Sequence, residues 1–376
     1  MSTQTFDFTD FKNKLLNLKE DTIIIFIYFS IVIIIILSIC YYLYKTRLYS
    51  SECNFMTNTY GSLNNKIKSI DIKYNTFNNN LLDYYVKTAY NCCSGGDYKN
   101  DYVNTCNLIN VLKQGCRGLD FEIYSIDDKP VVSTSTTNNF YVKETYNYIN
   151  FSEVMHILSN YAFSQSTSPN CTDPIIIHLR ILSNNQKMFS KFAQLLESYN
   201  NLLLDKSYSY ENYGKNVGNT PILNLKGKII IIVDKSNKSF LDNQHFLEYV
   251  NITSNSIFMR ALHYYDIKNT HDLTELQNYN KQNMTIAMPD GGSNPPNPNG
   301  IVVRETGCQL ISMRYQYIDQ YLEENNNFFN ENGFAFVLKP DKLRYVPVIL
   351  PDPSPQKPEL SYEPRIITSK HYDFNI

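Results

Sequence analysis

The chain has 376 residues with 34 Lys and Arg against 36 Asp and Glu, so a formal charge of −2 at pH 7 offers no electrostatic case for a nucleic-acid partner. No run of Lys or Arg suggests a basic arm, and the length suits one large domain with extensions. No Trp occurs beside 31 Tyr and 21 Phe, a bias that, with abundant Asn, Ile and Lys, reflects an AT-rich genome before it reflects chemistry.

Residues 1–21 are polar with mixed charge and are expected to form a weakly ordered tail. From Thr22 to Leu43 no charged residue occurs and Ile dominates, which is about the length a helix needs to cross a bilayer. A core helix would keep a polar face and this segment has none, so 22–44 is expected to be a transmembrane helix. Tyr41, Tyr42 and Tyr44, followed by Lys45 and Arg47, suit an interfacial belt. The run exceeds the apolar part of a signal peptide and no Ala-x-Ala-like site follows, so an uncleaved anchor is expected. Residues 45–82 are polar and Asn-rich and read as a juxtamembrane spacer or short helix that lifts the next domain off the bilayer.

After Leu81, strand and helix signals alternate: strands at 84–89, 119–124, 175–179 and 229–233, helices at 107–113, 151–162 and 186–199. Such alternation implies parallel βα units, and eight of them close a TIM-type (β/α)8 barrel, here over 83–346. The turn-rich segment 288–300 is expected at a barrel mouth, and 347–376, with six prolines, as an extended tail. Cys92, Cys93, Cys106 and Cys116 crowd one stretch and point to one or two disulfides there rather than zinc, because adjacent cysteines make poor ligands. Cys116 and Cys308, each beside a glycine, also read as buried thiols. Sequons at Asn150, Asn170, Asn237, Asn251 and Asn283 would suit a lumenal or external domain.

The stretch 112–124 alternates with a period of two from Gly118 onward. Leu119, Phe121 and Ile123 then share one face of a strand, and Asp120 and Glu122 project from the other. Burying ionised carboxylates costs several kcal/mol, so the pair needs a cation, an arginine or a water-filled site. The competing reading is an edge strand with a wet acidic face.

Gly115-Cys116-Arg117 followed by this acidic strand resembles the X region of phosphoinositide-specific phospholipase C, where such a turn precedes a calcium-binding Glu-x-Asp strand. Ile149 to Val154 with Tyr161-Ala162-Phe163, Pro174 to Leu179 and Leu225 to Ile230 are similar to the next helix and strands of that half, 83–236 here. Tyr279-Asn280-Lys281, Gly307-Cys308-Gln309, Asn332-Gly333, Val337 to Pro340 and Leu343-Arg344 resemble the Y half, in order, over 255–346. The resemblance implies a phospholipase-C-like phosphodiesterase barrel, a membrane lipid or phosphodiester head group as ligand, and catalysis by two histidines beside calcium.

Both histidine positions are changed. The family's Ser-His-Asn motif corresponds to Ala89-Tyr90-Asn91, and the second histidine falls at Thr134 after Pro130-Val131-Val132-Ser133. Tyrosine ionises near pH 10 and threonine does not titrate usefully, so the family's acid–base pair is expected to be lost. No histidine precedes His156 that a local shift of alignment would restore. Asn91, Asp120 and Glu122 fall on three of the four calcium-ligand positions, and the fourth corresponds to Arg180. Arg180 is expected to pair with Asp120 or Glu122 in the cation's place, or else to turn outward onto the loop. No cofactor is then required, and calcium binding is expected to be weak. The family's phosphate-binding lysines fall at Ile232 and Asp234, which leaves Lys235, Arg260 and His263 as candidates for an anion.

The resulting expectation is a single-pass membrane protein whose domain is lumenal, extracellular or on a virion surface. Its mouth pocket is expected to be lined by Tyr90, Asn91, Asp120, Glu122, Thr134 and Arg180, and to serve binding or structure without catalysis. One alternative is an active phosphoric diester hydrolase with His178 or His263 recruited as acid or base. Another is a disulfide-stapled adhesion module that uses a Tyr-rich surface. Fold alone does not choose among them.

Overall fold

Ile-rich and Val-rich runs supply the strands, because β-branched side chains pack well on a pleated surface. Asn or Asp side chains cap several of the helices between them, as Asn104, Asn185, Asp272 and Asp319 do. The structure, a computed structural model, describes residues 20–137, 141–210, 216–346, 356–357, 360 and 363–376. The expected tail over 1–21 therefore lies almost wholly outside the described residues, as does much of the Pro-rich segment past 346. The chain divides into two units, Met1–Arg344 and Tyr345–Ile376.

In its first half the larger unit carries α1 (Glu20–Tyr60), β1 (Tyr84–Ala89), α2 (Thr105–Lys113), β2 (Gly118–Ile126), β3 (Lys129–Val132), β4 (Ile149–Asn150), α3 (Phe151–Ile157) and β5 (Ile175–Ile181). There follow α4 (Gln186–Glu197), β6 (Ile229–Asp234), α5 (Gln244–Leu247), β7 (Ile252–Ser254), β8 (Met259–His263) and α6 (Tyr264–Lys268). The chain continues through α7 (Leu273–Gln282), β9 (Met284–Met288), α8 (Gly300–Glu305), β10 (Leu310–Met313), α9 (Gln320–Asn332) and β11 (Phe336–Leu338). In the smaller unit β12 (Ile366–Thr368) and β13 (Asp373–Asn375) form an antiparallel pair.

Eight parallel strands follow the order β7-β6-β5-β2-β1-β10-β9-β8, a nearly closed TIM-type barrel. Among the described residues only the β7/β8 seam lacks a backbone ladder, and it lies beside the expected junction of the two halves. β11 adds antiparallel to β1, and β3 and β4 extend β2 as an antiparallel flap. Leu119, Phe121 and Ile123 of β2 and Ile175, Ile177 and Leu179 of β5 join the helix layer, where Phe151, Phe189 and Phe192 meet them. A second core of Val86, Ile176, Ile230, Ile232, Ile286 and Leu310 fills the lower barrel. Polar inward residues are thereby confined to the layers nearer the mouth.

Two residues of the turn motif before β2 are explained by this closure. A Cβ at Gly118 would lie 2.3 Å from Thr88 Oγ1 on β1, so only glycine fits between those strands. The Arg117 guanidinium is fully buried at the barrel base and donates to Ala162 O, Ser168 Oγ and Asn170 Oδ1, tying down the segment before β5.

Three expectations need correction. First, α1 does not stop at residue 44: Glu52, Met56 and Tyr60, each four residues apart, form a buried stripe, so the start of the expected spacer is helix. Second, the disulfide joins Cys106 of α2 to Cys53 of α1, while Cys92, Cys93 and Cys116 are buried free thiols, because α1 brings a partner from outside the cluster. Third, the Asn170, Asn237 and Asn251 side chains are hydrogen-bonded to Gly115 O, Ile181 O and Ile231 N, so those sequons carry no weight for topology. Cys308 is a buried thiol, as its glycine neighbour suggested.

Lys87 of β1 is wholly buried, and its Nζ has no hydrogen-bond partner among the described residues. Burial lowers its pKa to about 8, only weakly opposed by Cys116. An unfolded lysine titrates near 10.4, so the folding penalty is fully present below about pH 8 and vanishes above about pH 10.4. Lys87→Met is therefore expected to raise the melting temperature in detergent, and by more at about pH 7 than at about pH 11. An equal shift at both pH values would contradict this origin.

Candidate functional site

Strand register builds the site. β2 and β5 pair with Asp120 opposite His178 and Glu122 opposite Arg180, which stacks two carboxylate–base pairs on the inner barrel face. In the lower pair His178 Nδ1 lies 2.7 Å from Asp120 Oδ2, and His178 Nε2 lies 3.0 Å from Ser254 Oγ at the end of β7. Facing a carboxylate, Nδ1 carries a proton, which leaves Nε2 to the serine hydroxyl.

Arg180 closes the layer above. Its Nη2 donates to Asp120 Oδ1 at 2.9 Å and Asn91 Oδ1 at 2.8 Å, its Nε lies 3.2 Å from Asp120 Oδ2, and Nη1 is 3.6 Å from Glu122 Oε2. The guanidinium also sits over the Tyr90 ring, 4.6 Å from its centroid. Asn91 has φ of 42°, a left-handed conformation that asparagine tolerates, and its N–H is 3.3 Å from Asp120 Oδ1. Glu122 accepts from Tyr124 Oη at 2.8 Å and Ser135 Oγ at 2.7 Å.

These groups are buried, and their charges compensate one another. Burial pushes the Asp120 carboxyl up, but Arg180 and His178 outweigh it and hold the pKa at about 2. Burial dominates at Glu122 and raises its pKa despite Arg180, Ser135 and Tyr124. Burial opposes the Arg180 charge, yet Asp120, Tyr90 and Glu122 keep that guanidinium ionised. Ser254, His178 and Asp120 have the spacing of a nucleophile relay, but all three are fully buried and none lines the cavity above.

That cavity, about 490 Å³, opens at the strand C-termini over Tyr90, Tyr98, Arg180, Asp234, His263 and Asp290. Hydroxyl and amide groups of Ser135, Thr136, Ser236, Asn237 and Asn255 fill out its wall. The segment 288–300 contributes Met288, Asp290, Gly291 and Gly292, as expected of a mouth loop. Asp234 and Asp290 face a single arginine that is already engaged by two carboxylates, and no lysine is among the described lining residues. His263 Nδ1 lies 2.7 Å from Pro289 O, so the ring is held at the rim.

Of the residues singled out from sequence, Tyr90, Arg180 and His263 reach the cavity. Asn91, Asp120, Glu122 and His178 lie below its floor, because Arg180 covers them. Thr134 is also buried and donates to Tyr98 O at 3.1 Å. Lys235 and Arg260 are misplaced as anion ligands. Lys235 follows the last inward residue of β6 and turns to Tyr210, 3.2 Å away. Arg260 alternates with Ala261 and His263 and so faces the barrel exterior, paired with Glu275 at 2.7 Å and stacked on Tyr279. Ser254, Ser135, Tyr124, Tyr98 and Asp290 were not found from sequence. Tyr124 was legible, being two residues beyond Glu122 on the same strand face, whereas the others depend on loop paths or, for Ser254, on the short strand β7.

Known proteins agree with this architecture. The family model for phosphatidylinositol-specific phospholipase C, X domain, matches residues 77–235, and that for the Y domain matches 230–342. The bovine and human 1-phosphatidylinositol 4,5-bisphosphate phosphodiesterase beta-4 enzymes are 36% identical over 77 residues, 20% of this chain and 7% and 6% of theirs. The crystal structure of L. pealei PLC21 superposes with a TM-score of 0.59 at 19% identity, covering 74% of this chain and 39% of that one. S. officinalis PLC21 gives 0.57 at 19% identity, covering 72% and 38%. The chain thus spans well under half the length of these relatives.

Breaking a buried ion network from one side leaves an uncompensated charge, at a cost of about 3–5 kcal/mol. Asp120→Asn is expected to lower the unfolding free energy by about that amount in urea melts near pH 7. An aspartate depressed to about 2 stabilises the fold above its unfolded pKa of about 3.9, and loses that contribution as pH falls through about 2. The variant should therefore lack the wild type's loss of stability across that acid window.

Proposed function

Because the chain belongs to the phosphatidylinositol-specific phospholipase C family through its X and Y domains, we propose that it is a catalytically silent member of that family, tethered to a membrane by α1, whose mouth binds an uncharged, hydroxyl-rich head group. The observation that carries this reading is Arg180, held between Asp120 and Glu122 where a metal ion would otherwise balance two carboxylates. The family's histidine positions are occupied by Tyr90 and Thr134, and the histidine that does line the cavity, His263, has its Nδ1 2.7 Å from Pro289 O at the rim. His178 is satisfied on both nitrogens beneath Arg180, which weighs against its recruitment.

The ligand class follows from the cavity wall. Hydroxyls and amides beside Asp234 and Asp290 offer donors and acceptors for sugar or polyol hydroxyls, while the two carboxylates repel a phosphorylated ring. α1 contains one stretch long and apolar enough to span a bilayer. The Cys53–Cys106 disulfide favours an oxidising compartment for the barrel, which supports an external or lumenal side.

The test is phosphodiesterase activity of the purified full chain on phosphatidylinositol and a panel of diester head groups, with and without calcium. No turnover above background is expected. Turnover that disappears in Asp120→Ala/Glu122→Ala would overturn the reading. In a companion experiment, Arg180→Glu should acquire a calcium-dependent rise in melting temperature that the wild type lacks, because the substitution replaces the resident cation with a fourth oxygen ligand.

A further inference from the structure

α1 is one unbroken helix, and its contacts with the barrel recur at every fourth residue. Tyr41 Oη lies 3.3 Å from Tyr146 Oη, and Lys45 Nζ sits 3.8 Å above the Tyr146 ring. Tyr49 packs edge-on against Tyr102 with centroids 5.6 Å apart, Cys53 is bonded to Cys106, and Thr57 Oγ1 accepts from Asn110 Nδ2 at 3.1 Å. Positions 41, 45, 49, 53 and 57 form a single stripe, the spacing expected where one helix face lies along a surface. The stripe is continued by Gln114 Nε2 and Lys113 Nζ, which donate to Tyr60 O and Gly61 O.

The order of these contacts sets direction. Lys113 and Gln114 end α2 immediately before β2 begins, so they mark the base of the barrel. Tyr102 and Tyr146 belong to the loops after β1 and β3, which interlock through Tyr146 N to Asp101 O at 2.8 Å and Val103 N to Asn147 Oδ1 at 2.8 Å. The same β3–β4 connection supplies Ser135, Thr136 and Tyr141 to the cavity wall, so it marks the mouth. Running backward from Tyr60, α1 therefore passes from base to mouth and leaves the domain at Tyr41. Tyr41 is within the last turn of the apolar segment, so the mouth loop touches the helix at the level where it enters the bilayer. Tyr141 and Val142 of that loop are 52% and 74% exposed, an apolar pair left uncovered by the described residues.

We propose that the barrel mouth is seated in the head-group layer of the membrane that α1 crosses, so that the cavity opens directly onto that leaflet. This rests on α1 being membrane-spanning, and it replaces a flexible spacer with a rigid strut. The occupant of the exposed rim is the lipid surface itself, since the apolar run of α1 is continuous with the stripe that holds the rim. A ligand is then captured from the anchoring membrane rather than from an opposing one.

The absence of tryptophan from the chain makes the test clean. A single Val142→Trp at the mouth and a single Ile72→Trp, at a 76% exposed site beside the barrel base, each give a unique emitter in the full-length protein. Reconstituted into phosphatidylcholine liposomes, Val142→Trp is expected to emit at shorter wavelength and to lose intensity when the lipids are brominated. Ile72→Trp should do neither. Equal quenching at both sites, or none at Val142→Trp while the protein resists alkaline carbonate extraction, would overturn the seating but leave the anchor standing. Complete extraction by carbonate would remove the anchor and the seating together. Quenching of Val142→Trp alone, in protein that resists carbonate extraction, would establish both.

Discussion

Two carboxylates on one face of a buried strand demand a cation, and here the protein supplies its own. Arg180 reaches across from the neighbouring strand to Asp120 and Glu122, and the register that places it there is fixed by the apolar residues alternating between them. The rest of the upper barrel accommodates that ion cluster. Asn91 adopts a left-handed conformation to meet it, Tyr90 covers it, and Ser135 and Tyr124 satisfy the second carboxylate. A buried network of this kind adds little net stability over an apolar core, but removing any one member is costly. It therefore specifies the arrangement of the barrel floor, with Arg180 lying between the two carboxylates.

The consequences run outward to the cavity. Once Arg180 is committed below, the carboxylates at the opening are those of Asp234 and Asp290, and Ser135, Thr136, Ser236, Asn237 and Asn255 add neutral donors and acceptors. That chemistry suits ligand recognition through hydroxyl groups better than stabilisation of phosphorane-like charge, which needs positive charge that strengthens in the transition state. The same barrel can host either, so the difference lies in a handful of side chains rather than in the fold.

Much of the fold was legible in the sequence because it rests on local periodicity. The alternation at 118–124 and the Ile run at 175–179 each satisfy a period of two, and both strands lie where that pattern places them. The family resemblance then ordered the strands, which periodicity alone does not. The site was legible only where partners share a strand face or adjacent register, as with Asp120, Glu122, His178 and Arg180. Ser254 and Asp290 come from loops and short strands whose course is set by tertiary packing, and Arg260 was misjudged because one residue of strand phase turns a side chain from inside to outside. The extension of α1 to Tyr60 was missed for a related reason. Its buried stripe of Glu52, Met56 and Tyr60 is short and mixed in sequence, and its partners, Asp101 after β1 and Tyr315 after β10, are distant along the chain.

Calorimetric titration of calcium into the purified full-length protein near pH 7 tests the central claim most directly, because it asks whether the position between Asp120 and Glu122 is available to a metal ion. No binding heat is expected in the micromolar range, since Arg180 already lies between the two carboxylates. A micromolar dissociation constant that disappears when Asp120 and Glu122 are replaced would contradict it.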